Sequence, residues 1–152
     1  MFRGASAITL DSKNRITIPT RYREEIVADC QGKMICTVDI QHACLLLYPL
    51  PEWEEIELKL CSLSSMNQQE RILQQVLLGN ATDCDMDKNG RLLLSGPLRN
   101  HAGLEKSVML VGQLKKFEIW SESAWQAQIQ QGIDKIQSGE IELTERLLDL
   151  SL

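Results

Sequence analysis

The chain has 152 residues, 43% of them hydrophobic and 24% charged, with a formal net charge of −5. That size supports one respectable core and leaves either half alone marginal. No apolar run approaches the roughly 20 residues of a membrane span, and Met1-Phe-Arg-Gly-Ala lacks the apolar core of a signal peptide.

In chain order, residues 5–10 are expected to form a strand, Lys13-Asn14 a turn, and the apolar run after Arg15 a second strand. Thr20 to about Asp29 suits a short helix, and 33–40 and 44–48 suit strands. Pro51-Glu-Trp-Glu-Glu opens an amphipathic helix to about Ser62, and Asn67-Gln-Gln-Glu70 resembles a capping box for a helix ending at Gly79. A second strand-turn-strand is centred on Asn89-Gly90, a strong hairpin signal because both residues tolerate positive φ. A helix over about 97–102 follows, with Pro97 at its first position and Gly103 as its stop. Strands are expected at 107–112 and 116–120. Ser121 is placed to cap a last helix, on which Ala124, Trp125, Ile129, Ile133 and Ile136 share one face. The acidic tail, 140–152, is expected to be a solvated or frayed helix.

One element occurs twice. Asp11-Ser-Lys-Asn-Arg15-Ile-Thr-Ile18 recurs as Asp87-Lys-Asn-Gly-Arg91-Leu-Leu-Leu94. At the same offset, without gaps, Ala5 meets Ala81, Leu10 meets Met86 and Arg23 meets Arg99. After a four-residue deletion, Leu46 through Trp53 corresponds to Glu118 through Trp125. Two such copies predict a pseudo-twofold domain. The cations follow the copies: residues 1–23 carry a local +4 and residues 88–116 a local +5, while acids collect in Glu52–Glu57 and Glu140–Asp149. Local potential, not global charge, decides what a face attracts.

Paired Asp-x-x-x-Arg motifs at Asp11/Arg15 and Asp87/Arg91, with the segment Cys44-Leu-Leu-Leu-Tyr-Pro-Leu-Pro-Glu-Trp53, resemble the MraZ family within the SpoVT-AbrB group of swapped-hairpin DNA-binding domains. The resemblance covers nearly the whole chain. It implies an α+β fold: a pseudo-twofold swapped-hairpin β-barrel of two repeats with amphipathic helices after each. The corresponding segments are a first repeat over 5–52, a helical insertion over 53–80, a second repeat over 81–124, and a C-terminal helix and acidic tail over 125–152. It further implies a regulator of transcription, mainly a repressor, of the bacterial division and cell-wall gene cluster and of its own promoter. Its partners would be double-stranded DNA with repeated promoter sites and further copies of itself in a ring. No cofactor, metal, membrane or small-molecule substrate is implied, and the expected location is cytoplasmic and nucleoid-associated. Two departures stand out: Asn14 occupies a usual glycine position, and Ser95 replaces the proline expected opposite Pro19.

The residue chemistry fits this reading. An arginine on a rigid hairpin can fork to guanine O6 and N7 or grip phosphate. A carboxylate four residues earlier would hold that guanidinium in one rotamer, which makes Asp11 and Asp87 the orienting residues. Arg15 and Arg91 are therefore assigned to base or groove contact, and Lys13, Lys88, Arg3, Arg21 and Arg23 mainly to phosphate. Arg23 and Arg99 are ambiguous, since a helix arginine often covers apolar surface with its stem. The competing reading makes both Asp–Arg pairs fold-closing ion pairs.

Other features have plainer explanations. The five cysteines form an odd set without CxxC spacing and are expected to be reduced thiols. Cys36, His42 and Cys44 lack a second matched pair for zinc. Leu45–Leu47 and Leu92–Leu94 are expected core strands. Two alternatives from other classes are a small double-ψ-barrel enzyme with Asp11 and Asp87 as catalytic carboxylates, and an antitoxin-like protein whose Glu140–Leu152 tail captures a toxin.

Overall fold

Chain reversal at the two Asp-x-x-x-Arg turns organises the topology of this α+β protein, seen in a computed structural model that describes residues 1–152. The first half runs β1 (Phe2–Thr9), β2 (Arg15–Thr17), α1 (Thr20–Cys30), β3 (Met34–Val38), β4 (Leu45–Pro49) and α2 (Leu50–Cys61). Helix α3 (Gln68–Gly79) intervenes. The second half runs β5 (Thr82–Asp83), β6 (Arg91–Leu93), α4 (Gly96–His101), β7 (Ser107–Leu114), β8 (Lys116–Ser121) and α5 (Glu122–Gln137), and α6 (Glu145–Leu148) closes the chain.

Local chemistry explains the element ends. Helix α1 buries Tyr22, Ile26 and Cys30, spaced by four along one face, and stops at Gln31 in the left-handed region. Asn67 caps α3 by accepting the Glu70 N–H at 3.1 Å. Pro97 lies in the first turn of α4, and Gly103 follows that helix at φ +58°.

A six-stranded antiparallel sheet has the order β1-β7-β8-β4-β3-β5, and β2 pairs with β6 in a separate ribbon. With β1/β5, β3/β7 and β4/β8 as counterparts, that order is the same from either end. Each half thus places its leading strand beside the third strand of the other half. The register locates the pseudo-twofold axis at two points: Ile16 opposite Leu92, and Leu46 opposite Glu118. Both are pairs of sequence counterparts, so each repeat meets its own copy at the axis.

Two expectations need correction. The ladder is open, ending at β1 and β5, so there is no closed hydrogen-bonded barrel. Strand β5 has two residues and pairs only with β3, which leaves nothing to close back on β1. The strands flanking each turn also do not zip into a hairpin, because β1 pairs with β7 while β2 pairs with β6. Only one residue per turn is left-handed, Asn14 at φ 63° and Gly90 at φ 76°.

The chain divides into two compact units, Met1–Glu122 and Ser123–Leu152. The core of the first unit draws on both halves: Ile16, Ile18, Leu92 and Leu94 pack with Phe2, Tyr22 and Phe117. Phe2 stacks on Phe117 with ring centroids 4.2 Å apart. A smaller cluster of Ile35, Leu46, Tyr48 and Trp53 seats α2. The second unit holds nearly all of α5, whose Ile129, Ile133 and Ile136 are exposed, and α6, capped by Thr144.

Candidate nucleic-acid interface

Each Asp-x-x-x-Arg turn is organised by its aspartate. Asp11 Oδ1 accepts the backbone N–H groups of Lys13 at 2.8 Å and Arg15 at 2.9 Å, and Oδ2 accepts Arg15 Nε at 3.0 Å. Asp87 repeats the pattern with Asn89 at 2.8 Å, Arg91 at 2.9 Å and Arg91 Nε at 3.3 Å. The Arg15 backbone N–H, more than the guanidinium, holds the Asp11 carboxyl below its ordinary value, and the Arg91 N–H does the same for Asp87. A carboxylate bound this way is a poor proton donor, which argues against acid catalysis at either position.

The β2–β6 ribbon joins the two turns. Ile16 and Leu92 are fully buried, so strand alternation puts Arg15, Thr17, Arg91 and Leu93 on the opposite, outward face. Arg15 lies directly across from Leu93, and Arg91 across from Thr17. Two residues along the ladder and one strand across place the two arginine Cα atoms about 8 Å apart. Ile18 N–H donates to the Gly90 carbonyl at 2.7 Å and Leu94 N–H to the Asn14 carbonyl at 3.0 Å, which ties each strand to the opposite turn. Both arginines therefore stand on a braced platform, with the backbone N–H and the Nε–H of each engaged by its aspartate. A two-stranded ribbon is of a size that the DNA major groove admits.

The other candidate cations are placed differently. Lys13 and Lys88 are exposed on the two turns, and Arg3 is exposed on β1. Arg21 is held against β1, donating to Ser6 Oγ at 2.6 Å and Tyr22 Oη at 2.7 Å, with its guanidinium over the Tyr22 ring. Tyr22 Oη in turn donates to the Arg3 carbonyl. Arg23 and Arg99 are half-buried braces: their Nε groups donate to the carbonyls of Ile18 at 2.7 Å and Leu94 at 3.1 Å. The second basic zone is split, since Lys115 pairs with Glu52 at 3.7 Å and Lys116 lies over the Tyr48 ring, both beside α2. Two outward residues escaped the sequence reading, Thr17 and Leu93. Leu93 is 61% exposed between Leu92 and Leu94, which are buried. The core assignment of Leu92–Leu94 is thus corrected at its middle residue. The ribbon sets one face on the core, and alternation turns Leu93 to the other.

A family model described as "MraZ protein, putative antitoxin-like" matches residues 1–76 and again 77–149. The chain belongs to the MraZ family. The second match starts at position 77 and the first at position 1, the same offset that carries Asp11 onto Asp87. The chain is 84% identical over its full 152 residues to the full-length transcriptional regulator MraZ of Colwellia psychrerythraea (strain 34H). Full-length MraZ regulators of Pseudoalteromonas atlantica (strain T6c) and Idiomarina loihiensis (strain L2-TR) are 64% and 62% identical over the same span. The names of these MraZ relatives are those of regulators and not of enzymes.

The remaining polar candidates have structural settings. Cys36, Cys44 and Cys84 are buried, and burial pushes the Cys84 thiol up to about 12. Such thiols are poor nucleophiles at neutral pH. His42 is exposed, with its ring 5.7 Å from that of Trp120. No helix is long and apolar enough to cross a membrane.

Proposed function

We propose that this protein regulates transcription by binding double-stranded DNA sequence-specifically through the outward face of the β2–β6 ribbon. The observation that carries the reading is the pair of aspartate-held arginines, Arg15 and Arg91, related by the pseudo-twofold axis on one outward face. The printed name of the relatives supports it. Arg15 and Arg91 contact base edges. Lys13, Lys88, Arg3 and Arg21 meet phosphate, and Arg23 and Arg99 add phosphate contacts from their bracing positions. Asp11 and Asp87 orient the arginines.

The finer reading follows from the family resemblance. The swapped-hairpin description applies to repeats at 5–52 and 81–124, with the insertion at 53–80 and the tail at 125–152 as flanking helical segments. The protein acts mainly as a repressor of the division and cell-wall gene cluster and of its own promoter, in the cytoplasm at the nucleoid. Copies assemble into a ring on repeated promoter sites. One unit with a few cations binds weakly at physiological salt, and joining units raises apparent affinity by about 10² to 10⁴ where repeats match the spacing.

The deciding experiment is titration and footprinting on the region upstream of the protein's own gene, at two salt concentrations. Protection of repeated sites, with an affinity that falls as salt rises, is expected. A duplex ignored at both salt concentrations overturns the reading, and tight binding that requires a second protein favours the antitoxin-like alternative.

A further inference from the structure

We infer that Leu93 reads the 5-methyl group of a thymine in the major groove, beside the base pair contacted by Arg15. The inference rests on the DNA-binding function proposed above. A single exposed leucine is ordinary on a protein surface, so exposure alone carries nothing. Its position does. Leu93 is 61% exposed on the outward face of the ribbon and directly opposite Arg15 in the β2–β6 register.

Directly opposed side chains in an antiparallel pair are about 4.5–5.5 Å apart at Cβ. An Arg15 guanidinium forked on guanine O6 and N7 therefore leaves Leu93 within reach of the neighbouring base pair, since successive pairs rise by about 3.4 Å. The apolar feature that the major groove offers there is the thymine methyl, and a leucine tip complements it. Leu93 has no hydrogen-bonding group for any other base edge, so it discriminates by apolar contact and by the water it excludes.

The pseudo-twofold axis gives the inference a second consequence. The counterpart of Leu93 is Thr17, opposite Arg91. The ribbon thus sets an arginine beside an apolar side chain at one end and an arginine beside a hydroxyl-bearing one at the other. The two halves of a bound site need not share a sequence: the half under Arg15 and Leu93 favours thymine, and the half under Arg91 and Thr17 is more tolerant.

The test uses the full-length protein and the promoter duplex protected in the footprint, prepared with thymine and with deoxyuridine in its place. The parent should bind the deoxyuridine duplex about fourfold more weakly for each thymine methyl that Leu93 covers. Leu93→Ala should bind the thymine duplex with a similar loss and show no preference between the two duplexes. Its salt dependence should match the parent's, because no phosphate contact is removed. Leu93→Ser, which has no methyl group to meet that of thymine, is the second variant and should lose the preference as well. Thr17→Ala should keep it. A parent that binds both duplexes equally, or a folded Leu93→Ala that retains the preference, overturns the inference while leaving DNA binding intact. Failure of the parent to bind either duplex at low salt would instead remove the underlying function.

Discussion

The Arg23 side chain lies across Gly90, the left-handed residue of the turn in the opposite half. Its Nε donates to the Ile18 carbonyl at 2.7 Å, and a Cβ placed on Gly90 would meet that Nε at 2.2 Å. Ile18 N–H in turn donates to the Gly90 carbonyl. Helix α1 of the first half thereby fixes the turn that presents Arg91 of the second. The two motifs form one rigid unit joined through backbone, not two independent loops.

Gly90→Ala should destabilise the protein by about 1–2 kcal/mol from the left-handed backbone alone, with a further loss from displacement of Arg23. The double variant Gly90→Ala/Arg23→Ala should recover the steric part only, so the two losses should fail to add. Denaturant midpoints of the parent, both single variants and the double variant measure this coupling. Strict additivity would mean that Arg23 moves aside without cost.

Arg15→Ala should abolish specific DNA binding and leave the fold intact. Arg15 lies on the outward face of the ribbon, whereas its neighbour Ile16 is fully buried. The loss should be about 1–3 kcal/mol per bidentate base contact, multiplied by the number of units engaged. Titration on the promoter duplex, with circular dichroism and size exclusion as controls, checks it. Near-normal affinity would return Arg15 to the role of a fold-closing ion-pair partner.

Asp11→Ala should weaken DNA binding even though it removes a negative charge near phosphate. The carboxylate accepts three N–H groups of its own turn, so its loss frees both the turn backbone and the Arg15 rotamer. The pH dependence follows from the same bonds. Asp11 and Asp87 are held below their ordinary value of 3.8, so their contribution is fully present above that value. It is lost only as pH falls through the lower folded value. DNA affinity should therefore show no step from these groups between about pH 5 and 8. Tighter binding by Asp11→Ala would show that repulsion of phosphate outweighs orientation of the arginine.

Much of this architecture is legible in the sequence because punctuation residues and the internal repeat act locally. Pro51, Asn67, Gly79, Pro97 and Gly103 mark helix ends that the structure reproduces within one or two residues. The offset that carries Asp11 onto Asp87 also makes Ile16 and Leu92 counterparts, and those two residues face each other at the axis. Partner choice is not legible: a strand as short as β2 holds too little pattern to distinguish β1 from β6. The exposure of Leu93 is hidden for a related reason, since consecutive leucines erase the alternation that separates an inner face from an outer one. Counting charge along the chain also joins Lys115 to the motif cations, although its side chain pairs with Glu52 on α2.

Charge placed on the exposed face of α5 should separate assembly from base reading. Ile129, Ile133 and Ile136 lie at helical spacing on α5 and are exposed, in a unit distinct from the one that carries the ribbon. If this face joins copies into a ring, Ile133→Glu should yield smaller, folded species. Those species should bind a single-repeat duplex about as well as one parent unit does, because Arg15 and Arg91 are unchanged. On a multi-repeat duplex they should lose most of the affinity, by a factor of about 10² or more, because the effective-concentration gain is gone. The salt dependence should flatten as well, since fewer phosphates are neutralised in each binding event. Sedimentation together with titration on one-repeat and multi-repeat duplexes decides it. Equal affinity of small and large species for the multi-repeat DNA would mean that specificity resides in the ribbon alone and that assembly serves another purpose.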